Sequence, residues 1–349
     1  MQAVRVHPNH SDPSAPFSAA NPAPVSAIHI DIGIPIPQAA RPGELLIRVR
    51  ATTVIRDALT WPETYSKEYT ILGHDFSGTV MSVYDEREDS PFKPGDEVYG
   101  MAHADRGGTW AEYVVVKVNE ACLKPKRLTW AEAAAVPLSG LTAYQALFEK
   151  AEVRPLDLAN PGKLSLSQVK GHETEQCRLL VTGAAGGVGT YLVQLGRLAG
   201  LYVVAATSSN CRNKKFLESL GASETVEYAD LQKITATYSI IIDTVGGHVL
   251  ESCWELVKDG GKLISIDSAS YNFVELHRKS GLSQQKTSVK ALFFIVTPSR
   301  EGLEQLSIAL GSGLLTPFVS NELALADARL AYQQSVEQST GRGKIVLIP

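Results

Sequence analysis

The chain predicts a two-domain α/β protein, with a small barrel-like β domain interrupted by a domain of alternating strands and helices around a parallel sheet. Three features of the sequence predict this. Proline crowds the start of the chain, short strands separated by Gly/Pro/Asp turns follow, and beyond residue 130 apolar strands alternate with helical segments. A length of 349 residues suits two domains. With 44% hydrophobic and 20% charged residues, such a chain can bury a core without staples.

The first 43 residues carry 8 of the 18 prolines. Proline donates no ladder hydrogen bond, so edge strands and surface loop are expected there. Alternation then marks strands at Leu45–Val49, Gly78–Val83 and Ala111–Val116, with Lys93-Pro94-Gly95-Asp96 as a turn between them. Thr129, with Glu132 three residues on, reads as a helix start, and an alanine-rich run follows. Strands are expected at Arg178–Thr182, Tyr202–Thr207, Glu224–Tyr228, Ser239–Val245, Gly261–Ile266 and Ala291–Val296. Helices are expected at Val188–Leu198 and Asn213–Leu220, so the strands form a parallel sheet. The polar stretch Arg154–Gln176, with Asn160-Pro161-Gly162, reads as a surface excursion. From about Gly311 the alternation stops, and the strand-like Lys344–Ile348 returns to the β domain. The expected division is 1–136 with 311–349 as one discontinuous domain and 137–310 inserted in it.

A net charge of -4, with the basic residues scattered, disfavours nucleic-acid and anionic-membrane binding. The four cysteines, Cys122, Cys177, Cys211 and Cys253, stand far apart, which suits reduced thiols and neither a disulfide framework nor a thiolate zinc lobe. No basic-then-apolar leader opens the chain and no apolar run reaches a membrane span, so a cytoplasmic location is expected.

The strongest chemical signal runs Leu179-Leu180-Val181-Thr182-Gly183-Ala184-Ala185-Gly186-Gly187-Val188-Gly189. An apolar strand enters a glycine turn, and a helix leaves it. Gly183 permits the tight exit, Gly186 lets backbone approach a pyrophosphate, and Gly189 lets the helix pack close to the sheet. The phosphates then lie at the helix N-terminus, against the free amides from Ala185 to Val188. At the end of the second strand, where an acid would hold an NAD ribose, stand Ser208, Ser209, Arg212, Lys214 and Lys215, with no acid before Glu218. Hydroxyls and cations suit a 2′-phosphate, so NADPH is expected over NADH.

On these motifs the chain resembles the medium-chain dehydrogenase/reductase superfamily, in its zinc-independent quinone oxidoreductase-like (enoyl reductase-like) branch. The resemblance runs in order through Arg50-Ala51-Thr52, Gly73–Val80, Lys93–Val98, Gly108–Tyr113, Leu138–Tyr144, the glycine turn, Leu220-Gly221-Ala222 and Gly341–Val346. It implies a GroES-like β-barrel domain with an inserted Rossmann doubly wound parallel-sheet domain, and an active site in the cleft. It further implies NADPH-dependent reduction of activated C=C bonds in quinones, enones or enoyl thioesters, by hydride transfer to the β-carbon and protonation of the enolate.

Zinc members of the superfamily carry a cysteine in the loop after Thr52 and a histidine at the position of His74. Here Ile55 stands at the cysteine site, and an alkyl group cannot ligate zinc. His74 and Asp75 therefore read as hydrogen-bonded structural residues, and no metal is expected. By resemblance Tyr65 is a candidate proton donor, with Tyr69 a rival in the same loop. Asp57 either orients a hydroxyl or caps the turn after it. Ile55, Trp61 and Phe294 are expected at the substrate pocket. Thr142, Tyr228, Val245, Ile266, Phe294, Ile295 and Lys344 are expected at the cofactor. A homodimer through the sheet edge near Ala291–Val296 is what the resemblance suggests, although monomeric relatives exist. The rival reading is a dinucleotide-binding structural or regulatory protein without turnover.

Overall fold

The computed structural model describes residues 1–9, 11–84, 90–154, 177–337 and 342–349. The excursion expected at Arg154–Gln176 lies, from residue 155 on, outside the described residues. The chain forms two compact units, Met1–Leu141 with Thr297–Pro349, and Thr142–Val296. No described helix is long and apolar enough to cross a membrane.

In the first unit, the proline-rich start supplies only β1 (Ala3–Val6) and β2 (Ile28–Asp31), an antiparallel pair of its own. The main sheet is built from β3 (Glu44–Thr53), β4 (Asp75–Tyr84), β5 (Glu97–Met101), β6 (Tyr113–Lys117) and β7 (Ala121–Leu123). It is completed by β14 (Val319–Ala324) and β15 (Lys344–Ile348), in the order β14-β15-β3-β4-β5-β7, with β6 also on β3. The tail thus returns to the β domain as expected, with Val346 opposite Thr53. Thr129 caps α1 (Trp130–Ala134): its Oγ1 accepts from Glu132 N at 3.2 Å, while Glu132 Oε2 accepts from Thr129 N at 2.8 Å. The alanine-rich run does not continue as one helix, because Pro137 cannot donate to the preceding turn. A new helix, α2, spans Pro137–Tyr144.

The boundary differs from the expected 137–310. Helix α7 (Arg300–Gly311) belongs to the β unit, where the Tyr99 hydroxyl donates to Leu303 O at 2.8 Å and meets Ser307 Oγ at 2.8 Å. Strand-helix alternation continues through this helix, so periodicity alone could not assign it.

The same unit contains a buried charge. Asp75, at 0% exposure, accepts from Thr53 Oγ1 at 2.5 Å and Leu138 N at 2.6 Å, with Lys344 Nζ at 3.4 Å from its Oδ2. This single carboxylate ties β3, β4, α2 and β15 together.

The second unit is a six-stranded, wholly parallel sheet. Its strands are β8 (Arg178–Val181), β9 (Tyr202–Thr207), β10 (Glu224–Glu227), β11 (Tyr238–Asp243), β12 (Val257–Ser265) and β13 (Lys290–Phe293). They lie in the order β10-β9-β8-β11-β12-β13. Helices α3 (Gly189–Leu198), α4 (Asn210–Leu220), α5 (Gly247–Leu256) and α6 (Phe273–Lys279) connect them. The winding reverses between β8 and β11. Connections after those two strands leave in opposite directions, and a crevice opens at their carboxyl ends.

Removing the ammonium from Lys344 leaves the buried Asp75 with two hydrogen-bond donors and without its cation. Lys344→Ala is expected to lower the unfolding free energy by about 3 kcal/mol in urea titration, with Lys344→Arg close to the parent.

Candidate active site

The glycine turn lies at that crevice. Gly183 leaves β8 with φ +63°, and its carbonyl accepts from Gly186 N at 2.8 Å. A Cβ on Gly183 would collide with Thr244 Oγ1, and one on Gly189 would come within 2.6 Å of Ala184 Cα. Both positions therefore require glycine. Gly186 is exposed, and the amides of Ala185, Gly187 and Val188 donate to nothing among the described residues. Three such N–H groups at the start of a ten-residue helix could hold an anion such as a pyrophosphate.

Beneath the turn, the buried Asp243 cross-links three strand ends. Its Oδ1 accepts from Thr182 Oγ1 at 2.6 Å and Val245 N at 3.3 Å, and its Oδ2 from Gly246 N and Ser265 Oγ, both at 3.0 Å. Burial pushes this carboxyl above its usual range, and the four donors work in the opposite direction. Thr182 Oγ1 also accepts from Thr244 N, while Thr244 Oγ1 donates to Thr182 O, both at 3.0 Å. The central strands are thereby locked in register at the crevice.

The end of the second strand of this sheet is more mixed in charge than the sequence suggests. Ser208, Arg212, Lys214 and Lys215 are exposed around the start of α4, with Arg212 Nη2 at 3.5 Å from Ser208 Oγ. Ser209 is the N-cap residue but makes no side-chain cap bond. The amide of Asn210 instead donates to Glu227 Oε1 at 2.6 Å. Sequence reasoning missed Glu227 because it searched the end of the second strand alone. An acid at the end of the third strand was the available signal. The adjacent Tyr228 hydroxyl accepts from Gly183 N at 3.0 Å, and burial raises its pKa. Tyr228 therefore braces the glycine turn.

Val245 stands two residues after β11 and Ile266 directly after β12, at the carboxyl ends of the strands, and Ile266 N donates to Asp243 O at 3.0 Å. Thr142 is buried in α2. After β13, Phe294 is buried with Lys150 Nζ 5.6 Å from its ring centre, whereas Ile295 is 61% exposed.

In the first unit, several expected site residues have structural partners. Tyr65 donates to Leu59 O at 2.5 Å and accepts from Ala23 N at 2.8 Å, so its proton is committed to a carbonyl. Lys344 is turned onto Asp75. Asp57 precedes a short 3₁₀ turn, Ala58–Thr60. Its carbonyl, not its carboxylate, takes the bonds from Thr60 N and Oγ1, both at 2.8 Å. Ile55 is buried in an apolar cluster with Val54, Leu59 and Trp110, against which Trp61 packs.

Two family models match the chain. Residues 41–126 match the family model described as "Alcohol dehydrogenase GroES-like domain", and residues 220–347 match "Zinc-binding dehydrogenase". A relative from Arthroderma benhamiae, named "Probable zinc-binding oxidoreductase, mitochondrial", is 35% identical over 87% of this chain and 88% of its own length. The chain belongs to the medium-chain dehydrogenase/reductase superfamily. Within the superfamily it falls in the quinone oxidoreductase-like branch. A "Chloroplast envelope quinone oxidoreductase homolog" from Arabidopsis thaliana is 28% identical over 92% of this chain and 93% of its own. The fold is shared with a quinone oxidoreductase from Coxiella burnetii (TM-score 0.79, 24% identity, covering 100% of this chain and 99% of that one).

Among the described residues no three His, Cys, Asp or Glu side chains converge as a metal site requires. His74 keeps a backbone hydrogen bond at Ala102, in line with the structural role expected of it, but the ring is only partly satisfied. Its Nδ1 is buried without a partner among the described residues, as is Nε1 of Trp61, whose ring centre lies 5.3 Å away. His74 lines a small cleft with Ala58, Glu63, Thr64 and Gly107.

Burial holds the His74 imidazole below its usual pKa, against the opposing pull of Asp75. The unfolded chain therefore takes this proton first, and stability is lost as pH falls from about 6.5 toward the lower folded value. In urea titrations between neutral pH and pH of about 5.5, His74→Gln is expected to lose less stability than the parent over that window.

Proposed function

We propose that the chain is an NADPH-dependent, zinc-independent reductase of activated C=C bonds, acting on small enone, enoyl or quinone acceptors in the cytoplasm. The observation that carries this reading is the cradle at the switch point, where Ala185, Gly187 and Val188 offer unpaired amides above the Asp243 lattice. When bound, a nicotinamide dinucleotide supplies a hydride for the β-carbon of the acceptor. Ser208, Arg212 and Lys215 offer a hydroxyl and two cations to a 2′-phosphate, which favours NADPH. Ile55 presents an alkyl group where a zinc ligand would be needed, so the acceptor must be electrophilic by conjugation. Relatives named for such chemistry support the substrate class, among them the "2-methylene-furan-3-one reductase" of Solanum lycopersicum, 30% identical over 80% of this chain. The edge strand β13, with exposed Ile295 beyond it, is the surface through which a homodimer would form.

One observation favours a second reading, dinucleotide binding without turnover. The Tyr65 proton is held by Leu59 O, which leaves no tyrosine donor free at that position.

NADPH consumption with a panel of quinones and enones separates the two. Turnover that persists in a chelator is expected, whereas tight NADPH binding with no turnover on any acceptor would establish the second reading. Ser208→Asp combined with Arg212→Ala is expected to move the NADPH/NADH preference about tenfold toward NADH.

A further inference from the structure

We infer that Glu227 keeps the discrimination between the two nicotinamide dinucleotides shallow, accepting the ribose 2′-hydroxyl of NADH and opposing the 2′-phosphate of NADPH. The inference rests on the dinucleotide reading above and concerns a residue that lies outside the glycine turn and the second strand. Glu227 ends β10 in register with Thr207, the last residue of β9. Its carboxylate therefore comes from the neighbouring strand to the level at which an acid following β9 would serve. There it takes the Asn210 amide at 2.6 Å, the backbone donor at the start of α4 that Ser209 leaves uncapped.

Two neighbours show that this position faces the cofactor crevice. Tyr228, the next residue, reaches the glycine turn at Gly183 N, so the end of β10 touches both the turn and the start of α4. The Asn210 side chain leaves its Oδ1 buried without a partner among the described residues. A carboxylate and an unpaired amide oxygen are both acceptors. Those two oxygens suit a hydroxyl, which donates, and oppose a phosphate, which also accepts.

The cations at this end have a different geometry. Arg212, Lys214 and Lys215 are exposed, and Lys214 already lies 3.9 Å from Glu218. A 2′-phosphate would gain their attraction from the solvent side while meeting the Glu227 charge from the sheet side. With the Asn210 amide already taken, it would be held by side chains alone. The opposing contributions leave a protein that takes both dinucleotides and prefers NADPH by a small ratio.

The test is direct binding of NADPH and NADH, followed by nicotinamide fluorescence, to the full chain and to Glu227→Gln and Glu227→Ala, with thermal melts to verify folding. Glu227→Gln keeps an acceptor for Asn210 N and removes the charge. Both variants are expected to raise the NADPH/NADH affinity ratio about tenfold, by strengthening NADPH and weakening NADH. A ratio within about twofold of the parent in both folded variants would overturn the inference while leaving the dinucleotide site standing. If neither dinucleotide binds the parent chain, the site reading fails and this inference fails with it.

Discussion

The Asp243 carboxylate sits in the interior of the parallel sheet, with no cation beside it among the described residues, surrounded by four hydrogen-bond donors. Isolated ionised groups do not persist in apolar surroundings unless their lone pairs are met, and here each oxygen meets two donors. The donors come from the ends of β8 and β12 and from the turn after β11, so the carboxylate fixes where those strands stop. Its bond to Thr182 presents that hydroxyl to Thr244 N, and Thr244 in turn occupies the space a side chain at 183 would need. The glycine turn follows from this lattice: only a residue without Cβ can leave β8 here, and the open amides follow from the path the turn then takes. A buried polar network with every member satisfied makes a rigid support, and a rigid support is what an anion cradle requires.

The β unit solves the same problem differently. Asp75 is equally buried, yet it has a cation, Lys344, in addition to Thr53 and Leu138 N. One carboxylate is held by dipoles alone and organises a binding edge. The other is paired with a charge and organises a barrel. The second arrangement explains why Lys344 is directed inward, even though its sequence neighbourhood resembles a cofactor-contacting turn.

Features governed by local backbone geometry were legible in the sequence. Gly183 and Gly189 were readable because no other residue fits a left-handed exit or a close helix–strand approach. The Thr129–Glu132 cap was readable because both partners lie within one turn. Features set by strand order were not. Glu227 lies twenty residues from Thr207 in the chain and directly opposite it in the sheet, and only the pairing of β10 with β9 reveals that. The Tyr65 hydroxyl is taken up by backbone groups of Ala23 and Leu59, which no local pattern announces. Helix α7 carries the same apolar periodicity whichever unit it packs against, and its assignment to the β unit came from Tyr99. The histidine at 74 was expected to be hydrogen-bonded, and one of its ring nitrogens, Nδ1, is buried without a partner among the described residues.

The ion pair across the β unit also fixes a sequence of events during biosynthesis. Asp75 leaves the ribosome early, whereas Lys344 and its strand β15, which must slot beside β3, are made only after every residue of the Thr142–Val296 unit. The parallel-sheet unit is continuous and has all its pairing partners as soon as it emerges. Its sheet can be complete while the barrel still has one seam open, because β15 is the last strand of the chain to be made.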